Sequence, residues 1–247
     1  GADGTLVVAA DTAITGSLTA TTTNNGTFTP GTMTASTTIV SGNIGASGAV
    51  LKAVNLTTNN TTTATFGGDI YATTTTFTGG GTASNFTIGG DVSGTTLALV
   101  TNGIINIADG KNITAAVTTG TANIGTINFG GTSGTSTVTG NIGVIGGNEF
   151  LAVNTTAGGT LVLEGNLAAT TTTVAASSTL QTTAARTYEG VIDLTGAGST
   201  LQLGGSLTST AGGGTTLLKS GTVVMSNPVS SYGTGLIIAA ANTPVTG

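Results

Sequence analysis

The chain has 247 residues, 42 of them glycine, and only 5% are charged. It contains no histidine, cysteine or tryptophan, which excludes a histidine-based triad, a cysteine nucleophile, a zinc site of the usual kind and any disulfide. Nine acids against four cations give a net charge of −5, and so few cations exclude nucleic-acid binding by phosphate neutralisation.

The sequence holds 59 threonines and 18 asparagines. Low complexity of this kind can mean disorder, but disordered chains combine low hydrophobicity with high charge. Here the mean hydropathy is +0.37. The aliphatic residues alternate with threonine, whose branched side chain suits a pleated surface. The chain therefore reads as strand and turn throughout, with no apolar run at helical spacing.

In chain order, residues 1–40 are rich in Thr, Asn and Gly, include Pro30 and read as an irregular cap. They lack the basic region and apolar core of a signal peptide, as expected of a mature or excised segment. A short motif then recurs: Gly, then Asn, Asp or Ser, then an aliphatic residue. It stands at Gly16-Ser17-Leu18, Gly42-Asn43-Ile44, Gly68-Asp69-Ile70 and Gly90-Asp91-Val92. A weaker form is Lys111-Asn112-Ile113, followed by Gly140-Asn141-Ile142, Gly165-Asn166-Leu167 and Gly205-Ser206-Leu207. Most steps fall in the low to middle twenties. The longer gap before Gly205 suggests either a degenerate copy at Gly190-Val191-Ile192 or a longer coil.

A second similarity spans about four repeats. Val40 to Gly45 echoes Val138 to Gly143, Ala53-Val54-Asn55 matches Ala152-Val153-Asn154, and Phe66 to Phe77 resembles Leu163 to Val174. Between the motifs, apolar residues have period 2, as in Leu97 and Leu99, Ile105 and Ile107, Ile113 with Ala115 and Val117, Leu161 and Leu163, Leu201 and Leu203, and Val223 and Met225. Each such face is half-buried and too small to bury itself alone, whereas stacked copies build a continuous core. The expected fold is all-β: a parallel β-helix, or β-solenoid, with coils of about 25 residues over the single segment 1–247. A β-sandwich is the runner-up, but it has no reason to repeat at that period. Residues 225–247, with Pro228 and Pro244, read as a less regular end. The apolar run Leu236 to Ala241 is too short to span a bilayer. Six Phe and three Tyr are too few for the aromatic girdles of a membrane barrel.

Asp69 and Asp91 occupy the repeat position that Asn and Ser fill elsewhere, so turn chemistry is expected of them rather than glycoside chemistry. Glu164 and Glu189 flank the motif and read as solvated, Glu189 within reach of Arg186. Acids are too sparse for a calcium cage, and no glycine run continues into a phosphate loop. The threonine runs 21–23, 61–63, 73–76 and 170–173 could form ranks for ice or a glycan, but their spacing is irregular. Phe66, Phe77, Phe86, Phe129 and Phe150 read as core. Tyr71, Tyr188 and Tyr232 are the candidates for a contact surface. No catalytic, cofactor-binding or metal-ligating residue is assigned.

Ile127-Asn-Phe-Gly-Gly-Thr, together with Ser136 to Gly143 and the echo at Val40 to Gly45, resembles the passenger repeats of rickettsial outer-membrane protein B and its surface-cell-antigen relatives, or a similar bacterial surface-layer solenoid. The resemblance implies a secreted autotransporter passenger on the bacterial cell surface, acting in a surface layer or as an adhesin for a host receptor or glycan. The reading of function is a non-enzymatic surface structural protein that self-assembles by lateral or end-to-end packing. The alternatives are a polysaccharide-active β-helix enzyme and a glycan- or ice-binding module.

Overall fold

A computed structural model describes residues 3–194, 196–210, 215–218, 220–226, 232–233, 236–238 and 245–246. The described residues contain no helix, and every pairing between named strands is parallel. The chain winds as a β-solenoid of about 10 turns, each of about 22 residues.

Each coil visits three strand positions, here called faces one, two and three in chain order. On face one, Ile14, Val40, Phe66, Ile88, Ile107, Phe129 and Thr155 stand one above another. On face two the column is Leu18, Ile44, Ile70, Val92, Ile113, Val138, Leu163, Thr182 and Leu203. On face three it is Phe28, Val54, Thr75, Leu97, Val117, Ile142, Leu167 and Tyr188. A step along these columns runs from 19 residues, Ile88 to Ile107, up to 26, Val40 to Phe66. The period-2 residues predicted to face inward are buried, apart from the half-buried Met225. Residues 1–40, read as a cap, carry strands Thr5–Val8, Thr27–Pro30 and Thr37–Val40, all paired to the coils that follow. The end read as less regular lies mostly outside the described residues.

The coil is shorter than the motif spacing predicts, because the motif changes corner along the chain. From Leu18 to Ile113 it opens face two. At Ile142 and Leu167 it opens face three. The 29-residue step from Lys111 to Gly140 is thus one coil plus one face. Between these halves the strand pattern also changes. Ile70–Thr78 runs from face two into three without a corner, whereas Arg186–Leu194 runs from face three into one. The degenerate copy in the long gap is Arg186-Thr187-Tyr188, since Tyr188 lies over Leu167. Gly190-Val191-Ile192 belongs instead to a face-one strand.

The motif glycines serve close stacking. A Cβ on Gly90 would stand 2.4 Å from the Asp69 nitrogen, and one on Gly165 would stand 2.2 Å from the Gly140 carbonyl oxygen. Neither has a positive φ, so the approach of coil on coil, not a left-handed backbone, requires glycine there. Inside, Phe77 stacks on Phe66 at 5.8 Å and on Phe86 at 4.6 Å between ring centres. Phe28, not singled out from sequence, is buried with the other five phenylalanines.

Candidate functional site

The acids form corners. Asn43 donates its backbone N–H to Ser17 Oγ, Asp69 to Asn43 Oδ1, Asp91 to Asp69 Oδ1, Asn112 to Asp91 Oδ1 and Thr137 to Asn112 Oδ1, all within 3.0 Å. A second ladder starts at Asn141, which accepts from Asn166, which in turn accepts from Thr187. Each side chain therefore satisfies a backbone donor of the next coil, the turn role the sequence predicts. Asp11 does the same for Thr34 and Ala35, and Asp109 for Thr132 and Gly134. Glu164 is exposed in the corner between faces two and three, whereas Asp69 and Asp91 cap the corner between one and two. Asp69 and Asp91, the pair weighed for glycoside chemistry, thus lie in a different corner from Glu164. Among the described residues no three acids gather as a metal-binding group.

Glu189 is not paired with Arg186. Its carboxylate accepts the Gly146 N–H at 2.6 Å, and Arg186 donates to the Ala185 carbonyl and the Thr183 hydroxyl. The ion pair among the described residues is Lys52 with Asp3.

The threonine runs do not make ranks, because alternate residues turn inward. Thr75 and Thr172 are buried, and Thr61 sits in a turn at φ 71°. A regular rank arises from dispersed residues instead. Thr135, Thr160, Thr179, Thr200 and Thr222 stack in register along face two, with Thr137, Val162, Gln181, Gln202 and Val224 beside them. Their separations of 19 to 25 residues hide the column in the sequence.

Of the three tyrosines, Tyr188 is core, 1% exposed, contrary to the contact role expected of it. The face-three column seals it between coils. The side chain of Tyr232 lies outside the described residues. Tyr71 is half-buried and lines a groove of about 390 Å³. Ser47 and Val50 form one wall, and Thr73, Ser93 and Thr95 extend the other. The Tyr71 hydroxyl donates to Asp69 at 3.2 Å. Burial, the negative charge and hydrogen bond of Asp69, and the charge of Asp91 hold it protonated above the ordinary tyrosine range. The Ser47 wall is a short excursion in which Ala46 and Ala49 exchange backbone hydrogen bonds. Ser47, Ser93 and Thr95 carried no sequence signal, because only the coil register brings them beside Tyr71.

No family model, curated protein or solved structure matches the chain.

Proposed function

We propose that the chain is a non-enzymatic stretch of bacterial surface solenoid, a stiff spacer that packs against copies of itself and displays its faces. One observation carries this reading. Face two presents an uncharged, register-locked strip of five stacked threonines flanked by Thr, Val and Gln. Two such strips can approach without desolvating charge, and the branched Thr and Val side chains lose little rotamer freedom on contact. The low overall charge supports the same packing, since repulsion between copies is weak. The placement of the acids in corner ladders supports a structural role over polysaccharide chemistry. The resemblance to rickettsial passenger repeats supports a cell-surface setting and a role in a surface layer or in adhesion.

Electron microscopy and light scattering over a concentration series test the proposal. Ordered filaments or sheets that are lost in Thr179→Glu/Thr200→Glu support it. Separate rods at every concentration, or assembly indifferent to both changes, reject it. The same threonine column favours a second reading, an ice- or glycan-lattice face, which predicts inhibition of ice recrystallisation or polymer pull-down by the unaltered chain.

A further inference from the structure

The sequence echo between the two halves is also an echo in three dimensions, displaced by one face. Val40 lies on face one but its counterpart Val138 on face two, and Ala53 to Asn55 lie on face three but Ala152 to Asn154 on face one. Local detail repeats with it. Gly45 and Gly143 have φ of 73° and 69°, and a Cβ on either would strike a carbonyl oxygen, that of Tyr71 at 2.2 Å or of Ala168 at 2.3 Å. Asn24 and Asn123 both have positive φ, and they accept from Thr73 and Thr170 respectively. Each Gly begins an excursion, at 45–50 and at 143–149.

The two copies differ where the excursion meets the coils. In the second, Ala168 stands for Tyr71 and Glu189 for Ser93 by register, while Val191 stands for Thr96, so that Thr95 has no counterpart. Glu189 there ties the excursion down through Gly146. The scaffold therefore needs neither the tyrosine nor the Ser93 and Thr95 hydroxyls, whereas the Thr73 hydroxyl, like that of Thr170, serves the scaffold. The first copy keeps an aromatic ring flanked by Ser47, Thr73, Ser93 and Thr95 around an open groove.

We infer that the Tyr71 groove is a binding site for a short stretch of neutral glycan. The groove size lies in the range of small-ligand pockets. A sugar ring offers an apolar C–H face to the tyrosine ring and hydroxyls to the surrounding side chains. None of Lys52, Lys111 and Arg186 lines the groove, and Asp69 and Asp91 lie beside Tyr71, so an anionic ligand is disfavoured. The Tyr71 hydroxyl is spent on Asp69, which fixes the ring in place before a ligand arrives. This inference does not rest on self-assembly: a monomeric rod carries the same groove.

The test uses saturation-transfer NMR and tyrosine fluorescence with uncharged hexasaccharides of glucose, mannose and N-acetylglucosamine. The expected result is saturable binding of at least one, weakened by about ten-fold or more in Tyr71→Ala and in Thr95→Arg, which crowds the groove and leaves the tyrosine in the chain. Tyr71→Phe keeps most of the affinity, and Thr179→Glu/Thr200→Glu leaves it unchanged, which separates this site from the packing strip. Circular dichroism confirms that each variant is folded. No saturable binding up to about 10 mM, or full affinity in either Tyr71→Ala or Thr95→Arg, overturns the inference.

Discussion

Asp91 donates its backbone N–H to the carboxylate of Asp69, 2.8 Å away and 22 residues earlier. The bond joins two coils, so its loss is felt between them. Asp69→Ala leaves that donor without its acceptor and should destabilise the neighbouring coils by about 1–2 kcal/mol. Asp69→Asn keeps the acceptor, as Asn43 does one coil before, and should stay within about 0.5 kcal/mol of the parent. Native-state hydrogen exchange at Asp91 reads both; equal protection in all three chains would remove the ladder from the account.

Acid should loosen the first coils through Asp11. The Thr34 hydroxyl and the backbone N–H groups of Ala35 and Thr34 hold its carboxyl below the ordinary range. The folded group thus gives up its proton more readily than the unfolded one. Its stabilisation is complete above the unfolded value, near about pH 4, and is lost as pH falls through the folded value. Exchange at Thr34 and Ala35, corrected for the intrinsic rate, should rise between about pH 6 and about pH 3 in the parent and rise less in Asp11→Asn. The same rise in both chains would contradict this.

Phe77 lies between Phe66 and Phe86, and all three rings are buried. Truncating the middle ring empties space that parallel strands on either side cannot close. Phe77→Ala should lower stability by about 3–5 kcal/mol, measured by urea unfolding. A cost under about 1 kcal/mol would mean the coils collapse into the gap.

Thr75 and Thr182 are 0% and 1% exposed, and neither hydroxyl has a hydrogen-bond partner. Valine has the same shape without the polar group. Thr75→Val and Thr182→Val should therefore raise the urea midpoint, each by the equivalent of about 1 kcal/mol. Two destabilised variants would show that the hydroxyls are satisfied in solution.

The solenoid was legible because alternation and repeat agree: Ile105 and Ile107 mark a strand, and the Gly-Asn-Ile motif marks its corner. Face identity was not legible. Val40-Ser41-Gly42 and Val138-Thr139-Gly140 read nearly alike, yet they lie on different faces, because the number of residues per corner shifts between the halves. Column membership follows from pairing register, so five threonines separated by about a coil each escaped notice while the runs drew attention. Tyr188 misled because its polar tip suggests a surface, whereas register places it over Leu167 in the core. Tyr71 was visible as a candidate, but its groove partners come from three different coils.

The one-face displacement between the halves has a consequence for anything longer built on the same plan. Duplicating such a cassette does not line its excursions up along one side. Each new copy is turned like the next tread of a spiral staircase, and with three faces the fourth tread returns above the first. A partner gripping the outside would meet like features only at that long interval, while partners approaching from three directions would each find one.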